Sequence, residues 1–292
     1  MIQAFLRKYL TPRWALGFVR GGIPAVMESD TLQIDWVKMP EDRWYADPFI
    51  LEVTDDEIQL LVEDFGYNLH KGIISLLHID RKTMNITARK ELLELPTHLS
   101  FPAILRKNGH IYVYPESMRS GSLTIYEYHP DTETLSPVAS ICDEAVWDSV
   151  ITDLFDQPLL FTAAHDDYHL DIYQWDKNSQ RYIPLQSVPS TLPNSRLGGA
   201  PFRYKDAIYY PAQNCINTYG AALDIKRIDN KGGIFNVTTV KQLTSPHHGY
   251  PIGMHTLNEY KGVVVIDVKG YPIRWLGALR EIEIKWKRKL KH

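Results

Sequence analysis

ADPFI (46–50), FPAIL (101–105), WDSVI (147–151), GAPFR (199–203) and MHTLN (254–258) are five versions of one short apolar segment. Aligned on Pro48, Pro102, Ser149, Pro201 and Thr256, they are separated by 54, 47, 52 and 55 residues. A repeat of this length is the signature of a stacked or radial architecture. Each segment runs within a few residues into a turn signal: Asp55-Asp56, Asn108-Gly109, Asp156-Gln157, Lys205-Asp206 and Lys261-Gly262. Such residues tolerate the tight, left-handed backbone of a hairpin.

A second apolar run follows every turn: IQLLVE (58–63), IYVYPE (111–116), PLLFTA (158–163), IYYPAQ (208–213) and GVVVID (262–267). The ends of these runs are 53, 47, 50 and 54 residues apart, in step with the first set. Third strands are expected at GIISLLHI (72–79), LTIYEYH (123–129), LDIYQW (170–175) and AALDIKRI (221–228). Fourth strands are expected at ARKELLEL (88–95), LSPVASI (135–141), YIPLQSV (182–188) and NVTTVKQL (236–243). Four antiparallel strands per repeat make a propeller blade, so the fold class is all-β, a five-bladed β-propeller. The blades fall at about 46–95, 101–142, 147–189, 199–243 and 254–286 within a propeller of 46–286. The second half of the fifth is irregular, and a strand from the N-terminal segment 1–45, either WALGFV (14–19) or LQIDWV (32–37), would complete it. No helix-period segment of 10–12 residues lies between strands, which disfavours a parallel α/β fold.

Composition agrees with a globular β protein. The 292 residues are 44% hydrophobic and include 17 Tyr and 7 Trp, rings that suit pleated surfaces and the apolar faces of sugars. A net charge of −3 offers no global field for nucleic acid. Cys142 and Cys215 are too few and too distant for a disulfide framework or a zinc site, and are expected to be buried thiols in a reducing compartment. Arg7, Lys8 and Arg13 interrupt the apolar N-terminus and argue against a signal peptide. With no run long enough to span a membrane, the expected location is the cytoplasm. The basic end KWKRKLKH (285–292), with its tail at 287–292, would permit peripheral contact with an anionic membrane surface.

The first strand of each blade lines the axis of a propeller, so equivalent positions converge on one volume. The first strands place Asp47, Phe101, Asp148, Ala200 and His255 there, and the ends of the second strands place Glu63, Glu116, Ala163, Gln213 and Asp267. Carboxylates inside apolar runs are costly unless paired, metal-bound or solvated in a cavity. The plainer alternative is that Asp47 and Asp148 hold the starts of their blades by capping turns. His247-His248 and the pair His165 and His169 around Asp166-Asp167 are read as solvated loops.

WYADPF (44–49) and WDSVI (147–151) resemble the arabinanase/xylosidase clan of five-bladed glycosidases. That resemblance implies a catalytic Asp47, an orienting Asp148, and a His255 near an axial cation, often calcium; no cofactor is otherwise required. A more extensive likeness is to the N-terminal propeller domain of plant glucosamine inositolphosphorylceramide transferases and related bacterial proteins. It rests on ADPF (46–49), Glu63, KGII (71–74), HLSFP (98–102), PES (115–117), SRLGG (195–199), PAQN (211–214), YG (219–220) and HTLN (255–258), in that order. The substrate-binding candidates are therefore Glu63, His98, Ser100, Arg196, Gln213, Asn214, Tyr219, His255 and Asp267. The glycosidases carry their general acid as a Glu before Gly-Pro in blade four, whereas this chain has Gly199 there. Glycoside hydrolysis needs an acid and a base or nucleophile, so Glu116 or Glu63 would have to supply the proton and Asp47 the base.

Three functions follow as expectations. The first is an enzyme that cleaves or transfers a glycosyl group on a glycan or glycoconjugate. The second is a carbohydrate-binding module that assists a glycosyltransferase in biosynthesis. The third, a propeller that binds only proteins, accounts poorly for a channel lined with Asp, Glu, Gln and Arg.

Overall fold

A computed structural model describes residues 11–271 apart from 68–70, 117–120, 164, 165 and 167, together with residues 273 and 277. Its strands form five four-stranded antiparallel sheets arranged as a five-bladed propeller. Blade one is β3 (Arg43–Val53), β4 (Glu57–Gly66), β5 (Ile73–Asp80) and β6 (Ile86–Leu93). Blade two is β7 (Ser100–Lys107), β8 (His110–Glu116), β9 (Leu123–His129) and β10 (Thr134–Cys142). Blade three is β11 (Trp147–Thr152), β12 (Leu159–Ala163), β13 (His169–Asp176) and β14 (Arg181–Pro189). Blade four is β15 (Phe202–Tyr204), β16 (Ala207–Asn214), β17 (Ala222–Lys231) and β18 (Ile234–Leu243).

The fifth blade joins the two ends of the chain. β19 (Leu257–Tyr260) and β20 (Val263–Gly270) are completed by β1 (Arg13–Val19) and β2 (Ile34–Trp36), in the order β19-β20-β1-β2. Both N-terminal stretches are used, where one was expected. Leu16 pairs with Asp267 and Val19 with Val264, so the blade is closed by hydrogen bonds between residues some 250 positions apart. Between β1 and β2 lies α1 (Gly22–Glu28), the one helix among the described residues outside the C-terminal segment. No described helix is long and apolar enough to cross a membrane. Most of 271–286 and the whole basic tail lie outside the described residues.

Blades cohere through apolar layers between neighbouring sheets. Phe101, Tyr114, Phe161 and Tyr210 join blades two, three and four; Leu223, Ile225, Leu257 and Ile266 join four and five. Leu16, Phe18, Ile50 and Leu60 join five and one. Cys142 is buried as expected, but Cys215 is only half-buried, and neither is in a disulfide.

Three inner strands carry the same irregularity, and it positions the site. Register slips by one residue between Ala46 and Phe49, between Ser100 and Ala103, and between Trp147 and Val150. Within each bulge one residue turns left-handed: Asp47 at φ 49°, Phe101 at φ 46° and Asp148 at φ 43°. A bulge leaves a residue unpaired and re-aims its side chain. Aspartate tolerates this conformation better than most residues, and in blades one and three it stands there.

Candidate functional site

The bulges free backbone N–H groups that cannot stay unpaired in the interior, and carboxylates from neighbouring blades accept them. The Asp47 N–H donates to Asp267 Oδ2 at 3.0 Å, and the Phe101 N–H to Asp47 Oδ2 at 3.1 Å. The Asp148 N–H points at Glu116 Oε2 at 3.4 Å. Three of the axial acids therefore staple one blade to the next. The capping role and the site role coincide in the same residues, each oxygen taking its own part.

Asp267 is the most committed of them. Its Oδ1 accepts the N–H groups of His255 and Thr256 at 3.2 and 2.9 Å and lies 2.8 Å from His255 Nδ1. Burial pushes its carboxyl up, but the facing His255 and these donors outweigh burial and hold it below the usual range. The Nδ1 of His255 must carry the hydrogen it gives to this carboxylate, so in the neutral ring Nε2 presents a lone pair. That lone pair lies 3.4 Å from Asp47 Oδ1, a buried oxygen that accepts no hydrogen bond. The His255 ring is itself clamped, stacked on Trp14 at 3.7 Å between centroids.

Asp47, Glu63, Glu116, His98, Ser100, Arg196, Tyr219 and His255 line one cavity of about 300 Å³, together with Trp14 and Trp44. Burial, reinforced by Glu63, Asp148 and Asp267, pushes the Asp47 carboxyl well above the ordinary carboxylate range. Glu63 is raised in the same way by burial and by Glu116, Asp267 and Asp148. Glu116 is raised to about 8 by burial and Asp148, against the opposing pull of Arg196. Arg196 bonds Asp148 through Nε and reaches Glu116 Oε2 at 3.3 Å. Its guanidinium sits 5.1 Å from the Trp147 ring centroid and 5.6 Å from that of Tyr219. His98 accepts the Gly72 N–H on Nδ1 at 2.8 Å, so its neutral ring aims Nε2–H at Glu63 Oε1, 3.4 Å away.

Four sequence candidates stand outside the cavity lining: Asp148, Asp267, Gln213 and Asn214. Gln213 donates to Asp148 Oδ2 at 2.7 Å and to the Leu197 carbonyl at 2.8 Å. Asn214 is turned to Asp224 Oδ1, 3.2 Å away, in a separate buried network. Trp14 and Trp44 were not singled out by sequence. Trp44 lies in the quoted WYADPF stretch, three residues before Asp47. Trp14 opens the quoted WALGFV strand, but only β1–β20 pairing brings it to the axis.

Asp47, His255 and Asp267 offer ligand atoms within 4.8 Å of one another. Asp267 Oδ1 is crowded by three donors while Oδ2 accepts one, so the atoms open to a cation are Asp47 Oδ1, Asp267 Oδ2 and His255 Nε2, two oxygens and a nitrogen. Calcium takes about six to eight oxygens, so these residues do not fit a calcium cage, and no step below runs through a metal.

In blade four the departure is built into the backbone. Gly199 has φ 149°, and a Cβ there would lie 2.0 Å from the Leu257 carbonyl oxygen. A Cβ on Gly198 would lie 2.4 Å from Leu223 Cδ1 and 2.5 Å from the His255 carbonyl oxygen. The seam between blades four and five closes over the position where an acid side chain was expected.

Residues 37–240 match the family described as glucosamine inositolphosphorylceramide transferase 1, N-terminal. The chain belongs to this family. Among curated members, glucosamine inositolphosphorylceramide transferase 1 of Oryza sativa subsp. japonica is 25% identical over 206 residues, and that of Arabidopsis thaliana 26% over 199. Each alignment covers 64% of this chain but 26% of the relative, so the chain spans about a quarter of the full transferases. Among solved structures, an exo-β-1,3-galactanase of Phanerochaete chrysosporium superposes with a TM-score of 0.52 at 10% identity, over 77% of this chain and 59% of its own. An engineered GH43 glycoside hydrolase does so at 0.51 and 11%, over 78% and 50%. These likenesses establish a shared propeller fold and nothing finer.

Proposed function

We propose that this member of the family is a carbohydrate-active enzyme that cleaves or transfers a glycosyl group at the propeller axis. The observation that supports it is the opening of Asp47, Glu63 and Glu116 onto one cavity walled by Trp14, Trp44 and Tyr219. Aromatic walls suit the apolar faces of a sugar ring, and Ser100, His98 and Tyr219 offer hydroxyl and N–H partners. Glu116, with its proton held to about 8, acts as general acid, oriented by Asp148 and Arg196. Asp47, which lines the cavity and whose Oδ1 takes no part in blade stapling, acts as base or nucleophile. Glu63 raises Asp47 and Glu116 raises Glu63, so ionising one acid favours the proton on its neighbour, the division that glycosyl chemistry needs.

The geometry of Gly199 favours a second reading: a non-catalytic carbohydrate module that assists a separate glycosyltransferase in glycoconjugate synthesis. The experiment is Asp47→Asn, assayed for turnover on aryl glycosides and on glucosamine donors with inositol phosphorylceramide, beside calorimetric binding of the same sugars. The enzyme reading expects binding to survive and turnover to fall at least about 10³-fold, in line with removal of a triad or carboxylate group elsewhere. Binding without turnover in the wild type as well establishes the module instead.

A further inference from the structure

A second polar site lies away from the axis, in the crevice between blades three and four. It is a cavity of about 70 Å³ with Leu170 and Val188 on one side and Tyr210, Lys226, Ser195 and Thr239 as its polar wall. Lys226 is 3% exposed and Tyr210 fully buried.

Lys226 Nζ donates to Asn194 Oδ1 at 3.0 Å, and the same oxygen already accepts the Ser190 hydroxyl at 2.8 Å. Asp224, the nearby carboxylate, is occupied by the side-chain amides of Asn194 at 2.7 Å, Gln242 at 3.0 Å and Asn214 at 3.2 Å. The Tyr210 hydroxyl has no hydrogen-bond partner. A buried hydroxyl without an acceptor and a buried ammonium without a direct counter-ion both carry a desolvation cost. One acceptor of negative charge would satisfy both. The cavity holds about two water-sized bodies, since a water occupies about 30 Å³, which is too small for a sugar or a nucleotide.

We propose that this crevice binds one small inorganic monoanion of halide size, held between the Lys226 ammonium and the Tyr210 hydroxyl. Burial pushes the Lys226 ammonium down to about 8 against the opposing pull of Asp224, so it still carries its charge at neutral pH and is available to an anion. The anion would bridge β13 and β14 of blade three to β16 and β17 of blade four. It would sit near the existing clip in which Gln186 exchanges two hydrogen bonds with the Phe235 backbone, at 3.0 and 2.9 Å.

The test uses the whole chain, with sodium chloride and sodium bromide as probes and sodium gluconate holding ionic strength constant. The melting temperature is expected to rise saturably as chloride replaces gluconate. Bromide-soaked crystals are expected to show an anomalous peak beside Lys226 Nζ and the Tyr210 hydroxyl. Lys226→Met, which keeps the length of the side chain, should lose the chloride response, and Tyr210→Phe should weaken apparent affinity about tenfold, the worth of one hydrogen bond to a charged group. Should Lys226→Met fail to fold, Tyr210→Phe and the anomalous map decide the matter alone. A wild-type melting temperature indifferent to chloride, or a crevice filled by water in the bromide crystals, overturns the proposal.

Discussion

Replacing Gly199 by alanine should destabilise the protein by roughly 3–5 kcal/mol, built from two sources. A residue with a side chain at φ 149° is held in a region that only glycine populates freely, at a cost of roughly 1–3 kcal/mol. The new methyl must also retreat from the Leu257 carbonyl oxygen, which lies 2.0 Å from its ideal position. That retreat loosens two hydrogen bonds that flank the seam: Leu257 N–H to the Gly198 carbonyl at 2.7 Å, and Ala200 N–H to Asn258 Oδ1 at 2.8 Å. Each contributes about 1 kcal/mol. Urea unfolding followed by tryptophan fluorescence measures the change, with the midpoint falling at an unchanged slope. The companion variant Gly199→Glu should lose at least as much stability and gain no turnover, although it restores the carboxyl that the glycosidase clan carries there. A Gly199→Ala protein within about 1 kcal/mol of the wild type would refute the reasoning, because the seam would then have room for a side chain.

Three further outcomes follow from the axis. Glu116 is protonated to about 8 in the folded protein and to about 4.5 when unfolded, so the folded state holds the extra proton between those values and stability falls as pH rises through them; Glu116→Gln should flatten that fall by at most about 1.4 kcal/mol per pH unit, read from urea midpoints between pH 5 and 8. Asp267→Asn puts an N–H₂ among the N–H donors of Asp47, His255 and Thr256, and should cost about 3–5 kcal/mol by thermal or urea unfolding; a loss below about 1 kcal/mol would show that the carboxylate is not what joins blade five to blade one. Trp44→Ala removes a cavity wall stacked on Phe65 at 4.8 Å and should weaken sugar binding about tenfold in calorimetry, with unchanged affinity refuting its place in the site.

The repeat was legible because a blade is a local object. Its strands are consecutive, its turns need Asn, Asp or Gly at fixed places, and its hydrophobic runs recur at nearly constant intervals. The same regularity brought out Asp47, Asp148, Glu63, Glu116 and Asp267, since equivalent positions on inner strands must converge. The ring closure was legible only in outline: WALGFV and LQIDWV each have strand character, but nothing local says that both are used, or in which order. Asn214 shows the limit of arguing by neighbourhood. It follows Gln213 directly, and alternation along β16 turns it away from Gln213 and toward Asp224.

By itself, then, the sequence determined five blades, their turns and the positions that face the axis, because those depend on short-range periodicity. Only the tertiary structure decided what the axial groups do. Which oxygen of Asp47 is taken by the Phe101 N–H and which is left free depends on the next blade. Trp14 reaches the His255 ring only through a strand pairing across nearly the whole chain. Whether a side chain fits at Gly199 depends on how closely Leu257 approaches. These are long-range contacts set by closure of the ring, and no interval along the chain encodes them.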